Sequence, residues 1–129
     1  MTSNTIILID DDLSVNYFHR RLITLLNITD DIQTFFNGKQ ALEGIININK
    51  ESKPGKRVVI FLDLNMPLIN GWEFLDEFEK VKSNLHIECH IHVISASLNP
   101  IDKSRAEQNP NVVSYISKPL SKEVLLNCI

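Results

Sequence analysis

The sequence has little cysteine, no long apolar run and no excess of positive charge, and each shortage excludes a class of protein. Two cysteines, Cys89 and Cys128, cannot form a disulfide framework, and their apolar neighbours indicate buried thiols. No run of about 18 consecutive apolar residues occurs, so no membrane span is predicted. With 13 basic against 16 acidic residues, the chain lacks the positive field that attracts nucleic acid.

The start of the chain and its composition favour one globular domain in the cytoplasm. Residues 1–4 carry neither the basic nor the apolar region of a signal peptide. Hydrophobic side chains make up 43% of the 129 residues and charged side chains 22%, close to the average of globular proteins. This length suffices for one buried core and no linker divides it, so we expect a single domain over residues 1–129.

Apolar runs typical of β-strands alternate with stretches of helical periodicity along the whole chain. Strands are predicted at Thr5–Ile9, Ile32–Phe36, Val58–Leu62, His90–Ile94 and Val112–Ile116. A helix is predicted after each strand. The first follows from the spacing of Val15, Phe18, Leu22, Leu25 and Leu26, and the others from Asn37–Gly38, from Asn70–Gly71, over Pro100–Gln108 and over Leu120–Ile129.

This alternation of strands and helices predicts the fold class. Short apolar strands that each precede a helix are typical of a parallel sheet covered on both faces. We therefore expect an α/β fold of the flavodoxin-like (βα)5 type, with a doubly wound five-stranded parallel sheet. The polar stretch Asn47–Arg57, which contains Pro54 and Gly55, is predicted to be an exposed loop.

Polar side chains follow four of the predicted strands at the point where each strand ends. Three carboxylates follow the first strand, and a carboxylate, a hydroxyl and an ammonium follow the third, fourth and fifth: Asp10, Asp11 and Asp12, then Asp63, Ser95 and Lys118. Ligands of open parallel sheets bind at the carboxyl ends of the strands, so we expect these groups to meet at one edge. Clustered carboxylates repel one another, raise at least one pKa and suit Mg²⁺, which prefers oxygen ligands.

At these positions the sequence resembles the receiver domain of bacterial two-component response regulators, the family that includes the chemotaxis regulator. Four motifs in the right order carry the resemblance, which covers almost the whole chain. They are the acidic pair in Leu8–Asp11, the acceptor segment Phe61–Pro67 with Gly71, the hydroxyl in Ile94–Ala96 and the aromatic residue and lysine in Tyr115–Pro119.

The resemblance implies a function. Asp63 would accept a phosphoryl group from a sensor histidine kinase or a histidine phosphotransfer protein, and a protein-interaction face would then switch toward an unknown downstream protein. No nucleic acid, no membrane and no enzyme activity beyond self-catalysed phosphoryl transfer and autodephosphorylation are expected.

The resemblance also assigns a role to each residue of the site. Mg²⁺ would be held by Asp10, Asp11, Asp63 and the backbone carbonyl of Asn65. The phosphoryl oxygens would be bound by Ser95 and Lys118, and Tyr115 would be the switch aromatic. A cis peptide bond between Lys118 and Pro119 is implied in the same way.

Two other functions compete with this interpretation. A Mg²⁺-dependent phosphohydrolase with an aspartate nucleophile would need a second aspartate two residues later as general acid, where this chain has Asn65, which cannot transfer a proton. An FMN carrier would bind phosphate after the first strand, where Asp10–Asp12 would repel it.

Several of these residues also have ordinary structural interpretations. Asp12 is expected to cap the first helix. Tyr115 is either a packing residue or the switch aromatic. His86, His90 and His92 are interpreted as packing or surface residues rather than a metal site, and His19 as a helix-face residue with no assigned role.

Overall fold

The computed structural model describes residues 4–66, 70–96, 99–118 and 120–129. The strands are β1 (Thr5–Ile9), β2 (Ile32–Phe35), β3 (Arg57–Asp63), β4 (Glu88–Ser95) and β5 (Val112–Ser117). The helices are α1 (Leu13–Leu25), α2 (Gly38–Glu51), α3 (Gly71–Val81), α4 (Pro100–Gln108) and α5 (Lys122–Cys128), with a short 3₁₀ helix at Lys82–Asn84. Within the described ranges, no helix has the length and apolar character needed to cross a bilayer.

The five strands form one parallel sheet in the order β2-β1-β3-β4-β5. This order confirms the predicted flavodoxin-like α/β fold, in which the chain reverses its direction of winding at β1. The register pairs Ile9 with Leu62 and Asp63 with Ile94, so the carboxyl ends of β1, β3 and β4 lie side by side. The polar residues that follow these strands therefore share one edge of the sheet.

Helices cover both faces of the sheet and bury a core on each side. All five residues of β1 are buried, as expected for a strand between two layers of helices. Ile7, Ile60 and Leu62 belong to the core that contains the buried residues of α2 and α3, together with Ala106 of α4. Leu8 and Phe61 face the other core, which lies beneath α1 and α5.

The helix boundaries follow from side-chain caps. Asp12 accepts hydrogen bonds from the N–H groups of Ser14 and Val15, which confirms its prediction as the cap of α1. Asn37 caps α2 at the predicted position, and Asn70 forms a reciprocal capping box with Glu73 at the start of α3. The last helix begins at Lys122, two residues later than predicted, because Ser121 caps it.

The prediction of a loop over Asn47–Arg57 is wrong at both ends. The α2 helix continues to Glu51, and Arg57 already belongs to β3. Two contacts extend the helix: Ile48 is buried, and the side chain of Asn49 accepts hydrogen bonds from the N–H groups of His86 and Ile87. The helix persists because tertiary contacts outweigh its polar sequence.

The buried face of α1 also differs from the predicted one. Phe18 and Leu25 fit the apolar periodicity but are 52% and 67% exposed, whereas the buried residues are Asn16, His19 and Ile23. These three positions share one face because residues three or four apart are neighbours on a helix. Two of the three buried side chains are therefore polar.

Candidate functional site

An acidic cluster lies at the carboxyl edge of the sheet. Asp10 directly follows β1, Asp63 ends β3, and both are buried, whereas Asp11 is exposed. One carboxylate oxygen from each of the three lies within 4.8 Å of the others. The structure thus brings together three of the four carboxylates that the sequence predicted at this edge, and the fourth, Asp12, caps α1.

Lys118 joins this cluster from the end of β5. Its Nζ donates a hydrogen bond to Asp10 Oδ2 at 2.8 Å and lies 3.3 Å from Asp63 Oδ1. Its backbone N–H donates to the carbonyl of Ser95 at 2.9 Å, which ties the ends of β4 and β5 together. Lys118 is therefore fixed at the edge and bridges the two buried carboxylates.

The electrostatics of the cluster leave an excess of negative charge. Burial, followed by the charge of Asp10, raises the pKa of Asp63 to about 6, although Lys118 and the backbone N–H of Asn65 oppose the shift. Burial lowers the pKa of Lys118, but its hydrogen bond to Asp10 and the charges of Asp63 and Asp10 outweigh this effect and raise it overall.

One ammonium cannot neutralise three carboxylates. An all-oxygen donor set with excess negative charge fits a hard divalent cation such as Mg²⁺.

The remaining predicted residues lie on β4 and β5 and in the segment that follows β3. Ser95 is the last residue of β4 and is 1% exposed, and Asn65 is exposed in the segment after β3. Tyr115 is half-buried on β5, opposite Val93 in the register, and packs against the core that contains Ala106 of α4. Pro67 and Pro119 lie outside the described residues, and so does the predicted cis bond before Pro119.

Gly71 allows α3 to begin against the segment that carries Asp63. A Cβ atom at position 71 would lie 2.7 Å from the Asp63 carbonyl oxygen and 2.7 Å from Leu64 Cα. The Gly71 N–H donates to the Leu64 carbonyl at 2.9 Å. Close approach of the two backbones explains the glycine at this position.

Two residues near the cluster were not predicted. Asn16 and His19, on the inner face of α1, are each 3% exposed. The Asn16 amide donates to the main-chain carbonyl of Asp10 at 2.9 Å. Burial lowers the pKa of His19, with the charges of Asp10 and Lys118 acting in opposite directions. The helical spacing of Asn16, His19 and Ile23 could have indicated a buried face, but the apolar residues of α1 suggested a different face.

The other histidines have structural contacts. His86 bonds the Ser52 carbonyl at 2.7 Å and so ties down the turn after α2. His92 stacks on Phe61 and bonds Ser114 Oγ at 2.6 Å, and burial lowers its pKa to about 4. Among the described residues, Asp10, Asp11 and Asp63 are the one group with the geometry of a metal site.

Comparisons with known proteins agree on one family. A family model described as the response regulator receiver domain matches residues 6–129. A two-component response regulator from Cytophaga hutchinsonii is 31% identical with a TM-score of 0.83, over 99% of this chain and 95% of that chain.

Two further solved structures resemble the chain. A response regulator receiver protein from Dyadobacter fermentans DSM 18053 is 25% identical with a TM-score of 0.78, over 95% of this chain and 92% of that chain. The chemotaxis protein CheY4 from Vibrio cholerae is 19% identical with a TM-score of 0.71, over 98% and 95%, and supports the fold alone. No curated protein sequence matches the chain.

Proposed function

The chain belongs to the response regulator receiver domain family, and from this premise we propose that it accepts a phosphoryl group on Asp63 in a two-component phosphorelay. The donor is a sensor histidine kinase or a histidine phosphotransfer protein, and the cytoplasm is the proposed location. The observation that carries the proposal is the cluster of Asp10, Asp11 and Asp63, bridged by Lys118 at the carboxyl edge of the sheet.

The ionisation of Asp63 suits a phosphoryl acceptor. With a pKa of about 6, its carboxyl is mostly ionised at neutral pH, and a carboxylate is a better nucleophile toward phosphorus than the protonated acid. Asp63 is the buried last residue of β3. Asn65 stands where a phosphohydrolase would need an acid, so turnover of an external substrate is disfavoured and the reaction is confined to the chain's own Asp63.

The residues that would hold Mg²⁺ are Asp10, Asp11, Asp63 and the backbone carbonyl of Asn65. When bound, the ion offsets the repulsion between the carboxylates and an incoming phosphoryl group. Asp10 is already held in place, because its Oδ1 accepts the Asp12 N–H at 3.0 Å and its Oδ2 accepts Lys118.

Lys118 and Ser95 are the proposed ligands of the transferred group. Lys118 Nζ lies beside both buried carboxylates. A small movement of its flexible side chain would bring the positive charge next to the phosphoryl oxygens. Ser95 offers a hydroxyl from the end of β4, in the strand next to Asp63. Both are contacts that exist only in the phosphorylated state, which allows phosphorylation to shift a conformational equilibrium.

The signal is proposed to leave through the face formed by α4, β5 and α5. Tyr115 lies on β5, and each of the three elements exposes a large apolar side chain: Ile101 at 70%, Val113 at 60% and Leu126 at 49%. A partner protein that covers these three side chains would gain free energy from the burial of their apolar surface. The proposed downstream partner is therefore a protein rather than a nucleic acid or a membrane.

Intact mass spectrometry tests the proposal. Incubation of the wild type with acetyl phosphate and Mg²⁺ should add one phosphoryl group of about 80 Da. The Asp63→Asn variant should gain nothing, and the exposed-acid variant Asp30→Asn should behave like the wild type. An equal adduct on Asp63→Asn would overturn the assignment of the acceptor.

A further inference from the structure

The α1 helix buries a polar stripe behind the acidic cluster. Asn16, His19 and Ile23 are its three buried residues, and only Ile23 is apolar. Burial of an amide costs free energy unless the amide is hydrogen-bonded. The Oδ1 atom of Asn16 is buried and has no hydrogen-bond partner within the described part of the chain. Packing alone would favour an apolar residue here, so the asparagine requires another explanation.

The Asn16 amide has one specific contact. Its Nδ2 donates to the main-chain carbonyl of Asp10 at 2.9 Å, six residues earlier and inside the protein. That carbonyl belongs to the peptide unit that joins Asp10 to Asp11. Because a peptide unit is planar, the direction of its carbonyl also fixes the direction in which the next Cα lies. The hydrogen bond from Asn16 therefore also constrains the position of the Asp11 Cα atom.

The other polar groups of Asp10 are already fixed. Its N–H donates to the Phe35 carbonyl at 3.1 Å, and its carboxylate accepts Asp12 and Lys118. The remaining polar group of Asp10 is its carbonyl, whose direction follows the rotation of the peptide unit after Asp10. The hydrogen bond from the Asn16 amide fixes that direction. Asp11 is exposed, yet its carboxylate lies within 4.8 Å of the other two.

We infer that Asn16 is a positioning residue, which holds the peptide unit between Asp10 and Asp11 so that the Asp11 carboxylate joins Asp10 and Asp63 in binding Mg²⁺. This inference rests on the proposed function and extends it to a residue that does not itself coordinate the ion. A residue that orients a ligand commonly changes metal affinity by about 10–100-fold.

Mg²⁺ affinity, measured by isothermal titration calorimetry, tests the inference. Asn16→Leu keeps a side chain of similar size and removes the donor, and Asn16→Ala removes both. Both variants should weaken Mg²⁺ binding about tenfold. The matched control is Ile23→Val, on the same buried stripe, which should lower the melting temperature by about 2–5 °C and leave the Mg²⁺ dissociation constant within twofold.

The outcomes separate this inference from the proposed function. Wild-type affinity in both Asn16 variants would overturn the positioning role alone, whereas absence of Mg²⁺ binding by the wild type would overturn both. A second measurement uses the unmodified protein: the side-chain amide protons of Asn16 should exchange slowly with solvent and shift on Mg²⁺ addition. Fast exchange would overturn the inference even where the variants fail to fold.

Discussion

The charge on Asp63 is unfavourable to the metal-free fold. Its pKa is raised to about 6, so the unfolded chain ionises this group more easily than the folded one. Asp63 therefore costs stability at neutral pH, and the cost disappears as the pH falls through 6 toward 4. The same unfavourable burial and charge repulsion that oppose folding favour the binding of a cation at this site.

Replacement of Asp63 by asparagine should stabilise the metal-free protein. At pH 7 in EDTA, Asp63→Asn should raise the free energy of unfolding by about 1–3 kcal/mol, since one pKa unit corresponds to about 1.4 kcal/mol. The advantage should shrink at pH 4.5, where the wild-type carboxyl is protonated. Urea unfolding at the two pH values measures it, with Asp30→Asn as the exposed control. Equal destabilisation by Asp63→Asn at both values would contradict the account.

At the residue scale, the sequence revealed the groups whose position follows from strand ends. Asp10 and Asp63 stand directly after an apolar run and Lys118 stands two residues after one, and parallel strands bring such residues together. Asn16 could not be found in this way, because its partner is a backbone carbonyl. Every residue has a backbone carbonyl, so the sequence does not show which one a side chain will bind.

The α4 helix buries fewer residues than the other four α-helices do. Ala106 is its one buried residue, although the Arg105 guanidinium also lies 4.1 Å from the ring centroid of Trp72 on α3. This is the geometry of a cation–π contact. Since α4 belongs to the proposed output face, its attachment to α3 should influence the stability and the position of that face.

Loss of this cation should loosen α4. Arg105→Ala is expected to lower the free energy of unfolding by about 0.5–1 kcal/mol and to change the emission of Trp72, the only tryptophan. Arg105→Lys should retain part of both. Fluorescence-monitored urea unfolding measures the effect, with Lys103→Ala as the exposed control on the same helix. Equal free energies of unfolding for Arg105→Ala and Lys103→Ala would show that the contact contributes no measurable stability.

Among the strands and helices, the order and type of the five strands and five α-helices followed from periodicity and turn residues, but the 3₁₀ helix at Lys82–Asn84, the buried face of α1 and several boundaries did not. In α1 the apolar residues Phe18 and Leu25 are exposed, and the buried stripe contains the polar residues Asn16 and His19 instead. In α2 the last turn depends on Asn49 and its bonds to the backbone near His86. In both helices a polar side chain bonds to the backbone of another segment, Asn16 to Asp10 and Asn49 to His86 and Ile87, and hydrophobic periodicity does not register such bonds.

Mg²⁺ should stabilise the whole molecule by relieving the repulsion among the three carboxylates. At ten times its dissociation constant, the gain is RT ln 11, about 1.4 kcal/mol. For a chain of this size the melting temperature should rise by about 4–6 °C, as differential scanning calorimetry would measure. Asp11→Ala should abolish the rise and Asp30→Ala should keep it. A melting curve unmoved by Mg²⁺ but shifted by Ca²⁺ or Zn²⁺ would contradict the proposed site.

A phosphoryl group on Asp63 should change the face formed by α4, β5 and α5, and amide NMR with beryllofluoride, a phosphoryl mimic, measures this change residue by residue. Shift changes should spread from Asp63 through Ser95 to Tyr115 and Pro100–Gln108. Ser95→Ala should reduce that spread while Mg²⁺ still binds. Changes confined to α2 and α3 would contradict the account, because the output surface would then lie elsewhere and Tyr115 would be a packing residue.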